Sequence, residues 1–182
     1  MLRKEILIIW KVLRNSLIFI FIIVVIAIGY IFIISDDSRV RVELDSCVDG
    51  DTAWFMIDGE KTKVRLLGID TPESTNYVEE YGVEASNYTC DMLENANDIY
   101  IEFESNSDRY DKYSRLLGYV FVDNNNLGEL LLSKGLAEVK YIYGEYKYID
   151  IFCDRQYEAY SSKLGIWEKY DYTDNYCNKR DV

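Results

Sequence analysis

Three patterns of apolar and polar residues follow one another along this chain. From Ser16 to Ile34 the sequence reads SLIFIFIIVVIAIGYIFII, without a charge and without the polar stripe a soluble helix shows. At about 1.5 Å per residue such a run approaches the roughly 30 Å of a hydrocarbon core. It predicts a transmembrane helix over residues 16–35. Strict alternation then begins at Val40-Arg41-Val42-Glu43-Leu44-Asp45, as in a half-buried strand. Residues 53–57 and 63–69 are further strand candidates, and Asp58-Gly59 between them is a hairpin signal. A helical face over 83–95 leads to strands at 99–104 and 116–122. Residues 123–126 form a turn and helix cap for 127–136, with Gly135 suited to the C-terminal end. Residues 147–163 form a mixed polar and aromatic helix. Trp167 reads as a core or helix-end anchor, and residues 169–182 as a loose polar tail. Five strands and about three helices predict an α+β domain, a five-stranded Greek-key barrel of the oligonucleotide-binding (OB) type, preceded by one transmembrane helix.

Charge sets the orientation of that helix. Arg3, Lys4, Lys11 and Arg14 lie in a basic leader over 1–15, and Asp36 and Asp37 follow the run. The positive-inside rule then puts the N-terminus in the cytoplasm and the domain, residues 36–168 with its tail, outside. A cleaved signal peptide would have an apolar core of about 7–15 residues and an Ala-x-Ala-like site. The longer run without that site favours an uncleaved anchor; cleavage would make the protein secreted. Beyond the run, Lys and Arg number 16 (20 in the chain less four in the leader) and Asp and Glu 31 (32 less Glu5). The external part is therefore near −15. That argues against nucleic-acid binding by net charge, although a small positive focus can act within a negative protein.

The chain has no histidine. Ser-His-Asp and Cys-His nucleophile systems are excluded, as are His-containing zinc sites. Any general base must be a carboxylate, a lysine, a tyrosine or water. Cys47, Cys90, Cys153 and Cys177 lack C-x-x-C spacing. They permit two disulfides in three connectivities, or four free thiols, and both readings stay open. If one bridge forms, Cys153–Cys177 is favoured, because it would tie the tail to the last helix.

Chemistry concentrates in two acidic segments with an arginine between them: Asp49-Gly50-Asp51-Thr52, Arg65, and Asp70-Thr71-Pro72-Glu73. Alone, each is an ordinary turn or loop. Together they offer carboxylates and a carbonyl for a hard cation, and a guanidinium for a phosphate. Hairpin pairing would bring Asp51, near the start of the second strand, to Asp70, beyond the end of the third. Arg115 in Asp111-Lys112-Tyr113-Ser114-Arg115 is a second phosphate candidate.

These segments, with Arg65-Leu66-Leu67, Tyr81-Gly82-Val83-Glu84-Ala85-Ser86 and Gly165-Ile166-Trp167, resemble the staphylococcal nuclease (thermonuclease) family in order and approximate spacing, over roughly residues 40–168. The resemblance implies the same OB-type fold and a calcium-dependent endonuclease acting on DNA and RNA with little sequence preference, leaving 3′-phosphate ends. It implies Asp51 and Asp70 as carboxylate ligands of Ca²⁺, Thr71 as a backbone-carbonyl ligand and Asp49 as a supporting group. Glu73 would orient or deprotonate the attacking water, while Arg65 and Arg115 would contact the scissile phosphate. Lys112, Tyr113, Tyr141 and Tyr143 match positions around the bound nucleotide; among 17 tyrosines, most serve packing or the surface. With the membrane helix, the activity is expected at the outer cell surface. The rival readings are a non-catalytic binding module of OB type and an acidic scaffold protein, which leaves Arg65 and Arg115 without a role.

Overall fold

The computed structural model describes residue 10 and residues 13–25, 39–75, 77–171 and 176–180. The chain forms two units, residues 1–37 and 38–182. In the first, residues 13–25 are helical, with Leu17, Phe19 and Phe21 exposed. No described helix is long and apolar enough to cross a membrane. Residues 26–35 of the expected span, and most of the leader, lie outside the described residues.

The second unit is a closed barrel. β1 (Arg39–Cys47), β2 (Thr52–Ile57) and β3 (Glu60–Leu66) form an antiparallel meander. β5 (Ile99–Glu102) pairs antiparallel with the outer side of β1 and with β6 (Leu116–Val122), and β6 closes the barrel by pairing parallel with β3. The five long strands thus make the OB-type α+β fold that the alternating pattern predicts. β7 (Asn125–Asn126) extends β6, and β4 (Ile69–Asp70) pairs with β8 (Glu138–Val139) in a separate ribbon. α1 (Gly82–Glu94), α2 (Leu127–Ser133) and α3 (Ile149–Ser161) are the three main helices.

Local signals act as physics requires. Asp58 and Gly59 adopt φ of 50° and 83° in the tight hairpin turn. Asn126 caps α2, its side chain accepting from Gly128 N and Glu129 N. Leu136 N donates to Leu131 O and Gly135 N to Leu132 O, the paired bonds of a Schellman end. Alternate positions of β2 and β3 point inward, so Ala53, Phe55 and Val64 are fully buried beside Ile101 and Val120. Burying a side chain such as Phe55 contributes about 1.5–3 kcal/mol.

Three expectations need correction. The third strand does not continue to Ile69: Gly68 takes φ 81°, the chain turns there, and Ile69-Asp70 leave the barrel wall to pair with Val139 and Glu138. The first strand runs further than expected, with Asp45 as the extra residue of a β-bulge between Leu44 and Ser46. The tail is not uniformly loose. Tyr176–Arg180 is helical (α4), and Cys177 is buried because it bonds to Cys153 on α3. Cys47–Cys90 is the second bridge, joining the end of β1 to α1, and the described structure has no free cysteine. Trp167 is 4 % exposed, in edge contact with Tyr160.

Candidate active site

The register of the β2–β3 hairpin sets Thr52 opposite Arg65. Asp51, one residue before β2, therefore lies beside Arg65, and its carbonyl accepts from Leu66 N at 2.8 Å. Turning at Gly68 brings Asp70 and Thr71 to the same place. Arg65 Nη2 is 2.8 Å from Asp51 Oδ2 and 2.8 Å from Asp70 Oδ1. Arg65 Nη1 donates to the carbonyls of Leu66 and Ile69 at 2.7 and 2.8 Å. Both Thr71 donors, the backbone N–H and the hydroxyl, reach Asp51 Oδ2, and the Thr52 hydroxyl reaches Oδ1. Asp49 Oδ1 accepts from Asp51 N at 3.1 Å, shaping the turn. Five expected site residues, Asp49, Asp51, Arg65, Asp70 and Thr71, are thereby held in one hydrogen-bonded group.

Asp51 and Arg65 are 5 % and 6 % exposed. Burial pushes the Asp51 carboxyl above the usual carboxylate range; Arg65 opposes this and the charge of Asp49 adds to it. Arg65 is expected to contact a phosphate, yet its Nη1 makes two hydrogen bonds and its Nη2 a hydrogen bond and an ion pair within the protein. Only Nε lacks a partner among the described residues. Nη2 stands where the two carboxylates converge, the position at which a metal cation would meet the same oxygens. Two convergent carboxylates in a group of surplus negative charge suit an oxygen-seeking cation, so the residues fit a divalent metal ion.

Lys140 was not singled out from sequence. Its Nζ lies 2.9 Å from Asp70 Oδ2 and 2.8 Å from Glu138 Oε1, across the β4–β8 ribbon. Burial works against the Lys140 charge, but these bonds hold its ammonium above the usual range. No local signal could have found it, because it lies 70 residues from Asp70. Thr89 was missed too. Its hydroxyl donates to Gly50 O at 2.6 Å, fixing the 49–51 turn to α1, one residue from the Cys47–Cys90 bridge.

Glu73 sits in the next loop, exposed, its carboxylate without a partner among the described residues. The loop is tied by Glu73 N donating to Glu79 Oε2 and Glu79 N donating to Glu73 O. Gly82 is required beside it, since a Cβ there would stand 2.1 Å from Glu73 O.

The second candidate arginine approaches from β6. Leu117 pairs with Arg65, and Arg115 lies two residues earlier, in the turn that leads into β6. Asp111 organises its turn. Oδ1 accepts from Tyr113 N and Arg115 N, and Oδ2 accepts from Arg115 Nε at 2.6 Å. Burial works to raise Asp111, but these hydrogen bonds together hold it below the ordinary carboxylate range. Each arginine has a tyrosine beside it. Tyr113, 68 % exposed, has its ring centre 5.5 Å from the Arg115 guanidinium and 5.0 Å from Lys112 Nζ. Tyr141, held at φ 60°, has its ring centre 5.9 Å from the Arg65 guanidinium. Tyr143 is 85 % exposed, and no described contact brings it to the group.

The family model "Staphylococcal nuclease homologue" matches residues 63–169, more than half of the chain. A Bacillus subtilis protein named endonuclease YncB is 44 % identical over 140 residues, 75 % of this chain and 65 % of that protein. The SPbeta prophage-derived endonuclease YokF of the same species is 44 % identical over 137 residues, 73 % of this chain and 46 % of its own length. The chain thus spans less than two thirds of either. A thermonuclease of Staphylococcus intermedius is 36 % identical over 125 residues, 67 % of this chain and 73 % of the relative. The chain belongs to the staphylococcal nuclease family.

Proposed function

We propose, from that family membership, that the domain is a calcium-dependent endonuclease hydrolysing phosphodiester bonds of DNA and RNA with little sequence preference. The observation that carries the reading is the convergence of Asp51 and Asp70 on one point beside a buried arginine, next to the Arg115 turn. Asp51 and Asp70 would hold the cation with the Thr71 carbonyl, supported by Asp49, and calcium there would supply positive charge to a phosphate oxygen.

The chain's own residues do the rest. Glu73, with an exposed carboxylate, orients or deprotonates a water. With no histidine in the chain, a carboxylate is the fitting group for that step. Arg115 offers the N–H groups that Asp111 does not use to the non-bridging oxygens, where charge builds during attack. Arg65 contributes a fixed guanidinium, with Nε as the N–H group that has no partner among the described residues. Tyr113 and Tyr141, each beside an arginine, would stack on bases, a contact that tolerates any sequence. Lys112 adds charge near Tyr113, and Tyr143 lies further out. Cleavage that releases a 5′-hydroxyl leaves the phosphate on the 3′ side, the product expected here.

The uncharged run at 16–34, its basic flank and two disulfides fit display outside the cell on an uncleaved anchor over residues 16–35. The test is direct. The full chain is incubated with DNA and with RNA, in calcium or in chelator, and the ends are analysed. Calcium-dependent cleavage lost in Asp51→Ala supports the reading; no cleavage of either nucleic acid with any divalent cation rejects it. Protease added to intact cells should remove the domain, and its persistence would reject surface display.

A further inference from the structure

Arg65 is the last member of a row. β3 carries Lys61, Lys63 and Arg65 at alternate positions, so all three lie on one side of the barrel wall. β2 answers in register: Met56 is opposite Lys61, Trp54 opposite Lys63, and Thr52 opposite Arg65. Residues on the other side of these strands, Ala53, Phe55 and Val64, are fully buried in the core. The row therefore faces outward at its lysine end and dips beneath Tyr141 at its arginine end. Successive positions are about 6.6 Å apart, and the whole row spans about 13 Å.

Trp54 is half-buried, with Lys61 Nζ 5.3 Å and Lys63 Nζ 5.7 Å from its ring centre. Lys63 makes no hydrogen bond or ion pair among the described residues. Lys61 pairs with Asp45, the extra residue of the β1 bulge, across an exposed contact that a phosphate can replace. Glu43, opposite Met56, and Asp45 balance Lys61 on this face, so Lys63 is the cation beside the Trp54 ring that is continuous with the candidate site. The chemistry of the row is that of a sequence-tolerant grip on single-stranded nucleic acid, with cations for phosphates and a ring for a base.

We infer that the Lys61–Lys63–Trp54 row is a second contact for the substrate strand, holding nucleotides beyond the one bound at Arg65. The inference rests on the nucleic-acid reading of the site. It makes the enzyme favour longer single strands over very short ones, and it makes that preference sensitive to salt.

The test compares kcat/KM for a single-stranded 12-mer and a trinucleotide, using the full chain and calcium. The ratio of the two values cancels any effect common to both substrates. It should fall about tenfold in Trp54→Ala, and by a similar factor in the double variant Lys61→Glu, Lys63→Glu. Trp54→Phe, which keeps a stacking ring, should retain most of it. Lys163→Glu, a single charge reversal on the turn after α3, should leave it unaltered. For 12-mer binding, the slope of log K against log salt should become shallower by about 0.7 for each lysine that holds a phosphate. An unchanged ratio and an unchanged slope, with cleavage intact, overturn the inference and leave the proposed function standing. If the protein cleaves nothing, anisotropy of a labelled 12-mer decides: binding weakened by the same variants sustains the row, and equal or absent binding overturns it.

Discussion

Asp51 and Glu102 are both almost wholly buried carboxylates that touch an arginine, yet they sit in opposite electrostatic settings. Glu102, on β5, is 2 % exposed. It accepts from Arg39 Nε at 3.0 Å, from Tyr148 OH at 2.8 Å and from Lys147 Nζ at 2.5 Å. Its neighbour Glu104 accepts from Lys147 N, Asn106 N and Tyr119 OH. Two acids meet two cations, and the network ties β1, β5 and β6 to the entry of α3. Around Asp51, four carboxylates (Asp49, Asp51, Asp70 and Glu138) share Arg65 and Lys140. Burial and an ion pair are common to both places, so neither marks a functional group. The two places differ in charge balance, and a surplus of acids such as that at Asp51 is what a cation site would need.

The comparison can be broken in four ways. The largest effect is expected for Glu102→Ala, which strands Arg39 and Lys147 next to the barrel wall. Denaturant unfolding should show a loss of about 3–5 kcal/mol, from removal of hydrogen bonds to a charged group that contribute about 1.5–3 kcal/mol each. If stability held while cleavage disappeared, the two regions would have exchanged roles. Arg115→Lys comes next. It should lower kcat roughly 10²–10³-fold, equivalent to about 2.7–4 kcal/mol, with a far smaller change in KM. An ammonium cannot reproduce the guanidinium fork. Stability should hardly move, since the partly exposed Arg115–Asp111 pair contributes about 0–1 kcal/mol. Steady-state kinetics on a short DNA at saturating calcium reads both constants, and near-normal kcat would remove Arg115 from the mechanism.

Calcium itself gives the third. At a hundred times its dissociation constant it should stabilise the fold by about 2.7 kcal/mol. The gain should persist in Glu102→Gln and vanish in Asp51→Ala, measured by unfolding with and without the ion. The smallest effect concerns pH. Burial works to raise Glu104, but the N–H groups of Lys147 and Asn106 and the Tyr119 hydroxyl hold it below its ordinary 4.5. A carboxylate depressed in the folded state contributes fully above its unfolded value and loses that contribution as pH falls through its folded one. Stability should therefore begin to fall only below about pH 4.5, and Glu104→Gln should flatten that part of the curve.

Much of this could be read from the chain. Alternation located β1 and β5, because a wall with one buried face must repeat every two residues, while β6 was read from a continuous apolar run and is buried at six of its seven positions. Asp58-Gly59 announced the tight turn, and that turn fixes Thr52 opposite Arg65. The meeting of Asp51 with Arg65 was legible for that reason, and the Asn126 cap and Gly135 end are equally local. The break at Gly68 was not legible, since apolar periodicity runs on to Ile69 and only the competing partner, Glu138–Val139, draws the chain away. Lys140 joined the group through that same ribbon. The Cys47–Cys90 bridge and the order of Tyr176–Arg180 likewise depended on what the closed barrel set side by side. Periodicity and turn chemistry act over a few residues, and so they determine strands, turns and caps. The charge balance at Asp51 is the sum over groups as far as 89 positions apart in the chain (Asp51 to Lys140), and only the tertiary pairing of β4 with β8 brings Lys140 within hydrogen-bonding distance of Asp70.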